Sequence, residues 1–379
     1  MEYTLLAGAR ANVGDHLIVS RAKRLLESNI PDVRFLELPR WESIEPALER
    51  VNSTRGIILC GGPAYQPKLY PGIYPLVKDL RQIRVPIIPL GLGWKGVPGD
   101  EQSLHEYRFT PSSMQLLARM HDDCEFTSCR DYLTKEALRK HGFENVIMTG
   151  DPAWYDMDFV QKDYRPPREI RTIAVSAPAR ELFHDQCVNL VDQCKRKFPE
   201  ARVICTFHHG WQQTQNVNAS VANTHKTLRD RLEERDCETV SLAADLERMQ
   251  GIYDRTDLHI GYRLHAHLYF ISRQQPSFLL EEDGRGRGAS EALGLKSLPA
   301  WKRPARSSLV RRLAIGRLGR RIATRALGAS WSARDEVVGE AMDLALNEIS
   351  TEYHSFRAVH ATIKETYHSR MQRFIELLS

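Results

Sequence analysis

The sequence predicts an α/β protein of two Rossmann-like domains facing a cleft, with a C-terminal helical extension. Three observations carry this. Short apolar runs alternate with amphipathic helical stretches from Tyr3 to Leu280, the pattern of parallel strands joined by crossover helices. A polar, proline-bearing stretch at residues 154–171 interrupts the alternation once, as a linker does. After Leu298 the strand pattern stops and only helical periodicity remains. The chain thus divides into 1–160, 170–298 and 299–379, and 379 residues suit two cores better than one.

In the first segment, residues 3–7 make a short apolar strand and Gly8 to Asp15 a loop. A helix is expected from His16 to Ser28, with Leu17, Ile18, Ala22, Leu25 and Leu26 inward. Strand, glycine-bearing loop and helix open a doubly wound domain, whose ligands sit at the carboxyl ends of its strands. Val33–Leu38, Gly56–Cys60 and Val85–Leu90 read as further strands. Gly61-Gly62 follows one of them and lets backbone approach a ligand closely. Gly91-Leu-Gly93-Trp-Lys-Gly96 follows another and matches the dinucleotide fingerprint literally. Val97-Pro-Gly-Asp-Glu breaks the helix that should follow it, and no acid lies about twenty residues on. The dinucleotide reading fails. Phe126 to Asp131 ends a strand before a helix at Tyr132–His141, and Val146 to Pro152 holds one more strand.

The second series runs through strand Thr172–Ser176, a helix near Asp185–Phe198, strand Arg202–Phe207, a helix near His225–Arg235, and strand Thr239–Leu242. Thr256 to Ile271 then reads as a strand end, a glycine turn at Gly261, and a helix with Leu264, Leu268 and Ile271 on one face. Arg263 and His265 fall in its first turn, where unpaired N–H groups and the helix dipole favour an anion. Arg supplies a two-pronged donor for carboxylate or phosphate, and His a proton carrier near neutral pH. The ligand best matched to that corner is a small, multiply charged acid. The strand Pro276–Leu280 completes the series.

A hydrophobic share of 42% and a charged share of 27% are those of an ordinary soluble protein, and no apolar run approaches a bilayer span. With no N-terminal signal segment in view, a cytoplasmic protein is expected, with peripheral attachment to the inner face of the membrane as an option. The net charge of +5 is uneven: residues 292–333 hold no Asp or Glu but many Arg and Lys. Residues 302–327 form a basic amphipathic stretch, either lying on an anionic membrane surface or packing on its own protein. Glu336–Glu348 and Tyr353–Leu378 read as two closing helices. The seven cysteines show no ligand spacing and are expected reduced and in the core. Neither a metal nor a nucleic-acid partner is expected. His265 and His267 stand at i and i+2, which point apart on a helix.

Six short motifs in order resemble the polysaccharide pyruvyl transferase family over residues 8–295. They are Asn12-Val-Gly14-Asp15, Gly61-Gly62, Gly91-Leu-Gly93, Ser128-Cys-Arg130-Asp131, Gly150-Asp151-Pro152 and Gly261-Tyr-Arg263-Leu-His265. The resemblance implies a glycosyltransferase-B-like pair of domains, the first on the acceptor side and the second on the donor side. It implies transfer of a pyruvyl group from phosphoenolpyruvate to a sugar of a cell-surface polysaccharide or its precursor, with a free or lipid-linked glycan as acceptor. Phosphoenolpyruvate is then a co-substrate, and no cofactor is needed. Two departures stand out. A Lys common in the family after the strand that follows the Arg-Leu-His corner is replaced by Arg285 and Arg287, and the early strand-end Arg of the second domain is matched only loosely, by Arg180.

On this reading Arg263, Leu264, Arg180 and His208 hold the donor, and Asn12, Gly14, Gly61 and Gly62 shape the acceptor side. His265 is the candidate acid/base, or a phosphate ligand that moves no proton. Asp15 and Asp151, at strand ends, orient acceptor hydroxyls or cap turns. Arg130 and Asp131 are expected to pair internally at a helix start. The rival activity is a nucleotide-sugar glycosyltransferase holding ribose and sugar through Asp283 and Glu291.

Overall fold

The two main sheets are all-parallel, and inner strands such as Ile57–Cys60 are buried and read as continuous apolar runs, while the edge strand Arg34–Pro39 is partly exposed. The computed structural model describes residues 1–8, 10–214, 217–303 and 331–378. The first sheet has strands β1 (Glu2–Ala7), β2 (Arg34–Pro39), β3 (Ile57–Cys60) and β4 (Ile87–Leu90) in the order β2-β1-β3-β4. A parallel pair, β5 (Thr127–Cys129) and β6 (Val146–Met148), continues it through a bridge between Leu92 and Cys129. The second sheet has β7 (Thr172–Ser176), β8 (Arg202–Phe207), β9 (Glu238–Ser241), β10 (Leu258–Gly261) and β11 (Ser277–Leu279) in the order β11-β10-β7-β8-β9. Apolar side chains of both sheets belong to one contiguous buried cluster.

The helices are α1 (Val13–Asn29), α2 (Leu48–Asn52), α3 (Glu101–His105), α4 (Pro111–Asp123), α5 (Tyr132–Arg139), α6 (His184–Lys197), α7 (Ala219–Glu233), α8 (Leu246–Tyr253), α9 (Leu264–Ser272) and α10 (Gly284–Leu293). After the basic stretch come α11 (Val337–Ser350), α12 (His354–Thr366) and α13 (Gln372–Glu376). The expected inward residues of α1 are all buried. Its start is corrected, however: the helix opens at Val13, not His16, because Asn12 caps it by accepting from the Gly14 N–H. Helix α7 likewise starts at Ala219, six residues before the expected His225, behind an Asn218 cap.

Helix α9 also departs from expectation. All nine of its residues are buried, not one face of them, because the first domain, α12 and its own sheet enclose it on every side. Helices α3, α4 and α8 were not expected, though Asp100, Thr110 and Asp245 cap them. The expected closing helix at 353–378 is broken by a π turn at Tyr367–Met371. The front of the expected linker is core, since Trp154 and Tyr155 are fully buried. Asp156 then receives Arg21 of α1 at 2.5 Å and Arg273 at 3.1 Å, which ties the linker's start to both halves of the molecule.

The chain crosses between the halves twice. It leaves the first sheet through residues 156–171 and returns through α12 and the π turn to lay α13 on α1. The two crossings touch: His360 Nε2 donates to the Lys162 carbonyl at 2.6 Å, and Gln161 lies 3.1 Å from His368 Nε2. The return is fastened by the Tyr3 hydroxyl, which donates to the Leu378 carbonyl, and by the Tyr367 hydroxyl, which donates to Asn29 at 3.0 Å.

Candidate functional site

Two helix N-termini from opposite halves meet end to end at the carboxyl edges of the two sheets. Helix α1 follows β1 and α9 follows β10, so each starts where a parallel strand stops. The side chain of Asn12 serves both, capping α1 and accepting from Arg263 Nη2 at 3.2 Å. Arg263 sits at the N-cap position of α9, one residue before the expected first turn, and offers no side-chain cap. The first N–H groups of α9 are thus left for a ligand. Arg263 is buried, and its other side-chain partner is neutral: Nη2 is 3.1 Å from His209 Nδ1. Burial depresses its pKa and Arg285 adds to that, while Glu282 opposes.

His265 lies in the first turn of α9 and reaches across the cleft. Its Nε2 is 3.7 Å from Asp151 Oδ2, and Arg130 Nη1 is 3.6 Å from the same oxygen. These are charge contacts rather than hydrogen bonds, and all three atoms are buried without a hydrogen-bond partner. Burial alone raises the Asp151 pKa, but His265, Arg130 and the Ala153 N–H outweigh it and hold the carboxyl below its usual range. Asp151 therefore stays ionised beside the imidazole. The ring of His265 fits only because residue 14 is glycine: a Cβ there stands 2.7 Å from Nδ1. Gly93 makes room in the same way for Arg130, whose Nε is 2.0 Å from the place of its Cβ. That explains the middle glycine of the false dinucleotide motif.

A narrow cavity lies in front of this corner and is lined by Asn12, His208, Tyr262, Arg263, Leu264, His265, Glu281, Glu282, Asp283 and Arg285 among others. Arg285 is clamped by Asp283 through two bonds of 2.8 Å. Burial lowers its pKa, but Asp283 and Glu282 outweigh this and keep it charged. Glu282 accepts from the Ala179 N–H at 3.0 Å, and burial leaves its carboxyl above the usual range despite Arg263. Lys95 lies within electrostatic reach of Arg285 and Asp283, its pKa lowered by burial and then by Arg285, with Arg180 and Arg40 adding to the effect. Two arginines, Arg263 and Arg285, line the space together with the carboxyls of Glu281, Glu282 and Asp283.

A model of the family described as polysaccharide pyruvyl transferase matches residues 12–284, a span that holds this corner and every strand of the two main sheets except β1. The chain belongs to the polysaccharide pyruvyl transferase family. No curated protein sequence matches it. Among solved structures, this pyruvyl transferase relative is similar to S. aureus MnaA in complex with UDP, with a TM-score of 0.52 at 10% identity over 99% of this chain and 97% of that one. It is also similar to the UDP-GlcNAc 2-epimerase from Neisseria meningitidis bound to UDP-GlcNAc, with a TM-score of 0.50 at 9% identity over 99% and 100% of the two chains. At such identities the likeness concerns the fold, two Rossmann-like domains in the glycosyltransferase-B-like arrangement.

The expected site residues of this pyruvyl transferase family member are not all in one place. Asn12, Gly14, Asp151, Arg263, Leu264 and His265 converge. Asp15 is not at a strand end but in the first turn of α1, half-buried, where its charge is felt by Arg263 and Arg285. His208 lines the cavity, yet its Nε2 is taken by the Tyr253 hydroxyl at 2.9 Å, and it is His209 that touches Arg263. Arg180 does not line the cavity; it stacks over the Trp331 ring at 4.9 Å. Gly61 and Gly62 lie behind the corner, against Ile18 and Arg40. Asp131 caps α5 and meets Arg130 at 3.3 Å, as expected, but Arg130 also serves Asp151.

Sequence reasoning missed Arg40, Lys95 and the site role of Arg130. Arg40 is the first residue after β2, so a search for cations at strand ends finds it. Among the described residues no cluster of His, Cys, Asp or Glu is placed to hold a metal ion, and no helix is long and apolar enough to cross a membrane. The basic stretch at 302–327 lies outside the described residues except for its first two. Lys302 meets Glu336 at 3.5 Å, and Arg303 pairs with Asp100.

Proposed function

We propose that the protein transfers a pyruvyl group from phosphoenolpyruvate to a glycan, forming a cyclic ketal with two sugar hydroxyls and releasing phosphate. The observation that carries this reading is the corner itself: an uncapped helix N-terminus, a buried Arg263 without a carboxylate partner, and the facing pair His265–Asp151. A donor bearing both carboxylate and phosphate supplies the negative charge that Arg263 lacks.

The reaction needs a proton on the methylene carbon of the donor, which becomes the methyl group. One sugar hydroxyl adds to the neighbouring carbon, the C–O bond to phosphate breaks, and the second hydroxyl closes the ketal. Two hydroxyl protons are lost; one equals the proton gained by carbon and the other leaves on phosphate. We assign the proton to His265, whose Nε2 lies 3.7 Å from the ionised Asp151. On this reading the acceptor enters from the first domain, where Asn12 lines the cavity.

A nucleotide-sugar glycosyltransferase is supported less well. Its two candidate acids are already engaged, Asp283 by Arg285 and Glu291 by Arg287 at 2.7 Å. Calorimetric titration with phosphoenolpyruvate and, in parallel, with UDP separates the readings. Phosphoenolpyruvate binding that disappears in Arg263→Ala is the expected result. UDP binding without a response to phosphoenolpyruvate overturns it.

A further inference from the structure

Behind the corner, the second sheet holds a row of hydrogen bonds that the reaction as described does not use. The Arg263 backbone N–H donates to Ser176 Oγ at 2.9 Å. Ser176 Oγ is 2.8 Å from His259 Nε2, and His259 Nδ1 is 2.6 Å from Ser277 Oγ. Ser277 Oγ is in turn 2.8 Å from His267 Nδ1. All four inner residues are buried. The series thus runs through β7, β10, β11 and back into α9, linking the N-cap of the helix to its fourth residue by way of the sheet. Its entry is open because residue 261 is glycine: a Cβ there stands 2.5 Å from Ser176 Oγ.

A neutral imidazole has one N–H donor and one bare acceptor nitrogen, and a hydroxyl can both donate and accept. Alternating hydroxyl, imidazole, hydroxyl and imidazole can therefore satisfy every link in one consistent sense, provided that both rings stay neutral. Burial keeps them so, with His259 held well below the usual histidine range and His267 pushed down to about 3. Without the row, Ser176 is a hydroxyl free to rotate and the Arg263 N–H loses a fixed acceptor. With it, the direction of the α9 N-terminus, and so of the Leu264 and His265 N–H groups, is set by the sheet rather than by the ligand.

We infer that Ser176, His259 and Ser277 are positioning residues that preorganise the anion-binding end of α9 through this row. The inference rests on the reading of that helix end as the donor corner, but not on the identity of the donor. Preorganisation of this kind strengthens binding by removing an ordering cost from the complex.

The test uses the full chain and three variants. Ser176→Ala removes the acceptor of the Arg263 N–H. Ser277→Ala removes the link shared by the two imidazoles and touches neither Arg263 nor the cavity. Ser272→Ala is the control, because that buried hydroxyl donates to Tyr269 in the same helix at 2.8 Å and lies outside the row. Calorimetry with inorganic phosphate and with phosphoenolpyruvate should show Kd raised about ten-fold in Ser176→Ala, the loss of one hydrogen bond of roughly 1.4 kcal/mol, and a smaller rise in Ser277→Ala. Backbone hydrogen exchange should be faster at Arg263 in Ser277→Ala and unchanged in Ser272→Ala. Wild-type exchange at Arg263 in Ser277→Ala overturns the inference, as does an equal change in Ser272→Ala. Phosphate binding without phosphoenolpyruvate binding by the wild type sinks the pyruvyl donor and leaves the row standing. If the wild type binds neither anion, the exchange measurement alone decides.

Discussion

Arg263 illustrates how a site can be read as an unbalanced charge. Its side-chain partners are an amide oxygen and a neutral imidazole, and among the described residues it makes no ion pair. A buried cation so placed is unfavourable in the empty protein. Arg263→Ala is therefore expected to leave the melting temperature unchanged or raised while weakening phosphoenolpyruvate binding by about 100-fold or more, the scale of a lost charge-assisted, two-pronged contact. A melt and a titration on the same sample check both halves, and a marked loss of stability contradicts the charge argument. Gly14→Ala tests the acid/base assignment. Alanine favours the helix by about 1 kcal/mol, but its Cβ displaces His265. Initial rates should fall at least about ten-fold, and because the added Cβ also stands 2.8 Å from the His265 Cβ, overpacking offsets the helix gain. Arg263 and His265 were legible because a charged side chain just after a strand-turn-helix corner has few structural uses. Lys95 was not, since its relation to Arg285 depends on which loops the fold brings together.

At the scale of elements, the strands were the most legible because parallel strands buried on both faces appear as plain apolar runs, such as Ile57–Cys60 and Ile87–Leu90. Helix starts were harder. The expected loop at Gly8–Asp15 hid the first turn of α1, because Gly14 lowers helix propensity and its reason for being there, the ring of His265, lies 251 residues away in sequence. The cap, Asn12, stands four residues ahead of His16, the first expected helical residue. Asn12→Asp follows from the double use of that side chain. A carboxylate still caps α1 and adds a charge pair with Arg263, so thermal stability should rise by about 1 kcal/mol or more. The same charge stands in the donor's path, so phosphoenolpyruvate affinity should drop about ten-fold. Improved stability with undiminished affinity, measured by melting and calorimetry, rejects Asn12 as part of the donor corner.

For the molecule as a whole, the interior holds several histidines that burial keeps uncharged. His184 and His225 are pushed down to about 4 and His267 to about 3, while His208, His209 and His259 lie well below the usual range. In the unfolded chain these rings protonate near pH 6.5. Their contribution to stability is therefore complete above that pH and is lost as pH falls from about 6.5 towards 4, at up to about 1.4 kcal/mol per pH unit for each ring. Denaturant midpoints measured between pH 7.5 and 5 should fall steadily; a flat profile rejects the buried neutral rings. The two-sheet plan was legible, but the return of the C-terminal helices to α1 was not, because nothing in Tyr367 or Leu378 names Asn29 or Tyr3 as its partner. That return has a mechanical consequence. The linker and the returning segment cross side by side, joined at Lys162–His360 and Gln161–His368. A body hung from two adjacent points swings about the line through them and resists rotation about other axes. Any opening of the cleft is then the swing of a door rather than a wringing motion, and each closure returns His265 to the same place against Asp151.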